Sequence, residues 1–165
     1  MKSKELKDFL DAKVKLYLNA DFINEDPISI PHQFSKKEDV EIAAFLTATI
    51  AWGRRPMIMK NARKMLDIMD NSPHDFILNA KQKELQKSLD FCHRTFQGVD
   101  FNTFLYALKN IYLNHNGLEA CFYTQKEDMS AGISNFKKIF FSIDHLKRTE
   151  KHISDPLKGS ASKRL

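Results

Sequence analysis

Cysteine is almost absent from this sequence: Cys92 and Cys121 are the only two, with no CxxC spacing and no secretory signal ahead of them. That excludes a disulfide framework and a thiolate metal cluster, and it leaves two free, buried thiols as the expectation. No stretch reaches the roughly 18 to 20 uninterrupted apolar residues of a membrane span. The N-terminus "MKSKELKDFLDAK" is charged throughout, so a soluble, cytoplasmic protein with no membrane partner is expected. Glycine and proline number only five each, and period-2 alternation of β-branched residues is hardly sustained anywhere. An all-α architecture follows.

Catalytic signatures are absent as well. There is no P-loop, no GxSxG elbow, no HExxH and no GxGxxG, and the six histidines show no ligand-like pairing. His145 and His152 are seven apart, but Lys147, Arg148 and Lys151 beside them disfavour a metal ion. No catalytic residue, no metal ligand and no cofactor is assigned.

The chain has 165 residues, 42% of them apolar, enough for one domain with a real core. Its formal charge of +5 suggests a polyanion partner. Residues 146–165 hold six Lys or Arg against two acids, a net +4, which leaves only +1 for residues 1–145. The excess therefore sits in a C-terminal arm.

Helical periodicity runs through most of the sequence. "KELKDFLDAKVKLYLN" puts Leu6, Phe9, Leu10, Val14, Leu16, Tyr17 and Leu18 largely on one face, as in an amphipathic surface helix. Pro27 and Pro31 predict an extended connector after it. Ser35 and Glu38 have capping-box spacing ahead of a helix that should start at Lys36. From Ile42 to Trp52 that helix has no polar face except Thr47 and Thr49, so it should be the central helix of the domain. Gly53 is expected to end it and Pro56 to begin the next. Further helices are expected after Ser72, after Asp100 as a cap, and through "ISNFKKIFFSI".

Arg54 and Arg55 fall between the stop and the start. Two guanidinium groups with the free N–H groups of a helix beginning would make an anion site for phosphate. The alternative is that both complement the preceding helix's dipole or pair with acids. "HRTF" sets His93 and Arg94 at what reads as a helix-to-loop transition, able to reach a ligand or to bridge elements. Lys163 and Arg164 in "SASKRL" suit phosphate contact or a frayed charged terminus. Trp52 is either a pocket wall or a core residue.

"DPISIPHQF", "DVEIAAFLTATIAWGRR", "MDNSPHDFI", "HRTF" and "SASKRL", in this order, resemble an uncharacterised bacterial family of the Bacteroidetes type. That family in turn resembles the helix-hairpin-helix DNA glycosylases. The resemblance implies a helical bundle like the six-helix-barrel half of that fold, with DNA as the partner. It places Trp52, Gly53, Arg55, His93, Arg94, Lys163 and Arg164 in family motifs, while Arg54 stands where Asn is more usual. No two glycines lie within two residues of each other, so the glycosylases' Gly-x-Gly hairpin and the catalytic Asp after it have no counterpart. Family members also continue past "KRL", so the resemblance implies a single helical domain over 1–165 that is incomplete at its C-terminus, with apolar surface left open over the 42–52 helix. Two other functions remain open beside nucleic-acid binding without catalysis: a non-enzymatic scaffold or adaptor, and an enzyme on a small phosphorylated metabolite.

Overall fold

Helices carry most of the chain in the computed structural model, which describes residues 3–124 and 128–164. Among them the only sheet is a two-stranded hairpin, so the fold is all-α. The helices are α1 (Ser3–Tyr17), α2 (Ala20–Glu25), α3 (Lys37–Ile50), α4 (Arg55–Ile68), α5 (Pro73–Asn79), α6 (Gln82–Gln86), α7 (Gly98–Asn114), α8 (Leu118–Phe122) and α9 (Met129–Phe140). The hairpin pairs β1 (Cys92–His93) with β2 (Phe96–Gln97). No described helix is long and apolar enough to cross a membrane.

The apolar run from Ile42 becomes the central helix, α3, because most of its circumference is covered. Ile42, Ala43, Phe45, Leu46, Thr47, Thr49 and Ile50 are buried, and Thr49 donates its hydroxyl to the Phe45 carbonyl at 2.9 Å, so its polar group is satisfied inside. Phe45 stacks on Phe104 of α7 at 5.7 Å and meets Phe140 of α9 edge-on at 5.5 Å. Phe96 of the hairpin reaches Phe104 at 5.1 Å. Burying each such ring contributes about 2–3 kcal/mol, so this cluster ties α3, α7, α9 and the hairpin into one body. The open apolar surface expected over α3 is confined to the side that carries Ala44 and Ala48.

Local signals were partly overridden. Residues 20–33 are not an extended connector. Asn19 accepts from the Phe22 N–H at 3.0 Å to start α2, Asp26 accepts from the Ile28 N–H at 3.0 Å, and Pro27 and Pro31 each open a 3₁₀ turn, where their fixed φ fits. Ser35 does not cap α3, which begins at Lys37 after Lys36. Asp100 is not a cap but the third residue of α7, reaching back to accept from the Gln97 N–H at 2.9 Å. At α5 the capping acceptor comes from another helix, with the His74 N–H donating to Asp39 at 2.8 Å. The amphipathic helix expected at the start of the sequence is present as α1, but none of its residues is buried.

Candidate functional site

The end of α3 and the start of α4 meet the hairpin at Trp52. The last turn of α3 closes through Ala51 N–H to the Ala48 carbonyl (3.1 Å) and Trp52 N–H to the Ile50 carbonyl (2.7 Å). The helix is over before Gly53, so Gly53 does not cap it, contrary to the sequence expectation. Its φ is +115°, and a Cβ there would stand 2.9 Å from Arg94 Nη1. Glycine is required by that positive φ, whereas the Arg94 guanidinium is the far end of a flexible side chain that can shift.

The donors expected at the start of α4 are largely spent. Pro56 has no N–H, and the Met57 and Ile58 N–H groups donate to the Arg54 carbonyl at 3.0 and 3.1 Å. Anion chemistry at this corner therefore rests on side chains. Arg55 turns to Asp26, at 4.0 Å, which matches the acid-pairing alternative.

"HRTF" is not a helix-to-loop transition. His93 pairs with Phe96 across a two-residue turn made of Arg94 and Thr95. Arg94 has φ +56° and Thr95 does not have positive φ, the pattern of a II′ turn whose first central position is usually glycine. Holding a residue with a Cβ there costs about 1–2 kcal/mol. The tie between elements is made by a different arginine. Arg148, in the 3₁₀ segment Lys147–His152, donates to the Thr95 carbonyl (3.1 Å) and the Gln97 side chain (2.8 Å) and pairs with the fully buried Asp100 at 3.2 Å.

Arg94 is left to Trp52. Its guanidinium carbon lies 4.6 Å from the ring centroid, and that of Arg164 lies 6.0 Å away. Among the described residues no carboxylate is within ion-pair distance of Arg54, Arg94, Lys163 or Arg164.

His93 is buried behind this surface. Asn61 Nδ2 donates to its Nδ1 at 2.7 Å, and its Nε2 faces the Trp52 carbonyl at 3.2 Å. A carbonyl can only accept and an amide nitrogen can only donate, so Nε2 donates to the Trp52 carbonyl, Nδ1 accepts from Asn61, and both nitrogens are engaged. His93 therefore holds Trp52 in place and has no nitrogen to offer a phosphate, which corrects its assignment as a phosphate contact.

Trp52, Arg54, His93 and Arg94 line one pocket of about 190 Å³ together with Met57, Asn61 and Cys92. Arg164 reaches the same indole, whereas Arg55 and Lys163 are not on its walls. The last three lining residues were missed in the sequence. Asn61 left a signal, a polar residue within the buried stripe of Ile58, Ala62 and Met65. Cys92 left none: Cys121 is buried as expected, but Cys92 is exposed.

The arrangement combines an aromatic platform, a guanidinium held on it and two more guanidinium groups free of acids, which can bind oxyanions bidentately. The chain matches no curated protein and no solved structure. A family model described as a protein of unknown function, DUF2400, matches residues 26–165, a span that takes in the whole Trp52 face and stops short of α1. By that match, the chain belongs to the DUF2400 family.

Proposed function

We propose that the Trp52 face binds the phosphate backbone of nucleic acid, DNA being the partner the glycosylase resemblance implies, without catalysing a reaction by itself. Arg94 is the observation that carries this reading. Its backbone position costs about 1–2 kcal/mol, while a cation–π contact at an accessible site returns only about 0.5–1 kcal/mol. A structural role thus leaves the strain unrepaid, and strained positions of this kind cluster at ligand clamps. Arg54 and Arg164 extend the positive surface on either side of the indole-bound guanidinium.

Size discriminates among ligands. Pockets that enclose small molecules have volumes of about 300–1,000 Å³, and this one holds about 190 Å³. A phosphate group of a polymer lying on the surface fits better than an enclosed metabolite or an extruded nucleotide. With no Gly-x-Gly segment in the chain, binding rather than base excision is assigned to these residues.

Trp52 is the only tryptophan, so its fluorescence reports on the site itself. Titration with a short DNA duplex at low salt should change that emission, and added salt should reverse the change. Unaltered emission, with no complex seen by anisotropy of labelled DNA, would refute the proposal.

A further inference from the structure

A strained backbone position persists only where its surroundings over-determine it, and the hairpin that carries Arg94 has little of its own to offer. Each strand is two residues long. His93 and Phe96 are buried and fix the base of the hairpin, whereas Arg94 and Thr95 at its tip are exposed. From within the hairpin, the Arg94 carbonyl is met by the Cys92 thiol at 3.8 Å, a weak donor at long range.

Arg148 supplies the missing constraint. Its Nη2 donates to the Thr95 carbonyl at 3.1 Å and its Nη1 to the Gln97 side chain at 2.8 Å, one acceptor in the turn and one at the end of β2. The Thr95 carbonyl belongs to the peptide plane that closes the turn, so holding it restricts the dihedrals before it. The guanidinium is itself anchored on Asp100. That carboxylate has no exposure and accepts from the Thr149 hydroxyl at 2.7 Å and the Gln97 N–H at 2.9 Å. It also needs the Arg148 charge, 3.2 Å away, to be tolerated inside. A planar fork can serve all three oxygens at once, which the point charge of an ammonium does not. With its charge offset by Asp100 and both Nη atoms engaged, Arg148 is not an anion contact in its own right.

We infer that Arg148 is a positioning residue for the Trp52 face. Anchored on Asp100, it holds the Arg94–Thr95 turn so that the Arg94 guanidinium stays over the indole, 4.6 Å from its centre, with donors left for a phosphate. The phosphate part of this rests on the function proposed above, while the hold on Arg94 stands apart from it.

Arg148→Lys tests this, because it keeps a cation beside Asp100 and removes the fork. Without DNA, its Trp52 emission should shift in the same direction as that of Arg94→Gly, and combining the two substitutions should shift it no further. A merely structural role would lower the urea midpoint and leave the emission alone. With DNA, the salt slope should be shallower than the parent's by about one in Arg148→Lys, in Arg94→Gly and in the double variant alike. Gln97→Ala trims an exposed side chain and should give a smaller emission shift in the same direction, so it tests the hold even where Arg148→Lys misfolds. Parent-like emission in folded Arg148→Lys, or in Gln97→Ala where Arg148→Lys is unfolded, would overturn the inference, as would shifts that add in the double variant or a parent-like slope in Arg148→Lys. Emission shifts as expected with no DNA bound by the parent chain would refute the proposed function and uphold the hold on Arg94.

Discussion

Arg94 holds its guanidinium 4.6 Å from the centre of the Trp52 ring, and it does so from a turn position with φ +56°. Replacing it separates strain from function. Arg94→Ala keeps the Cβ and its strain but loses the stack, and should cost about 0.5–1 kcal/mol of stability. Arg94→Gly also relieves the strain, and the added freedom of the unfolded chain offsets part of that gain, so its urea midpoint should stay within about 0.5 kcal/mol of the parent. A Gly variant clearly less stable than the Ala variant would show that the turn is not strained.

Cys92 is exposed on the pocket wall and Cys121 is buried, its thiol pushed up to about 11 by burial and by the nearby Glu41 carboxylate. A maleimide should therefore label one thiol quickly in the folded protein and the second only on unfolding. Saturating DNA should slow the first reaction severalfold. Equal labelling rates with and without bound DNA would move the DNA to another face.

Acid should weaken the fold through His152. Its side chain is almost fully buried, with Nε2 3.4 Å from Asp100 Oδ2 but without hydrogen-bond geometry. Burial is the largest influence and lowers its pKa, ahead of the opposing pull of Asp100. The unfolded chain then binds this proton more readily than the folded one, so the contribution is intact above the unfolded value of about 6.5 and is lost as pH falls below it. Denaturation midpoints should decline from about pH 7.5 to pH 5, and His152→Gln should flatten that decline. An equally steep decline in the variant would assign it to other groups.

Gly98 opens α7 where the helix meets the Lys87–Asp90 turn. A Cβ at this position would overlap the Leu89 carbonyl, which is backbone and has no rotamer to yield. Gly98→Ala should lower stability by about 2–3 kcal/mol, measured by urea unfolding. A loss under about 0.5 kcal/mol would mean that the two segments separate freely.

The architecture was legible where periodicity is strong. The apolar run from Ile42 to Trp52 predicts a buried central helix, and α3 is buried at the centre of the bundle, with Phe45 stacked on Phe104 of α7. Single-residue signals were less dependable, because a cap or turn is decided by what else can reach it. Asp39 from α3 took the capping role expected of Ser72, and Asp100 reached back to Gln97 from inside its helix. The site was half legible. Arg54, Arg94, Arg164 and Trp52 converge on one surface, but Trp52 and Arg94 are 42 positions apart and nothing local announces that one covers the other. For His93 the sequence offers only a ligand contact or a bridge between elements, and the structure supplies Asn61 and the Trp52 carbonyl as its partners.

The salt dependence of DNA binding by the parent chain and by Arg94→Gly bears most directly on the proposed role of the Trp52 face. Three guanidinium contacts to phosphate give a slope of about −2.7 in log K against log salt, or roughly 40-fold weaker binding from 50 to 200 mM salt. The account predicts that slope for the parent and for Lys83→Ala, an exposed α6 residue, and a slope shallower by about one for Arg94→Gly. Equal slopes for all three proteins, or no binding at the lowest salt, would contradict it.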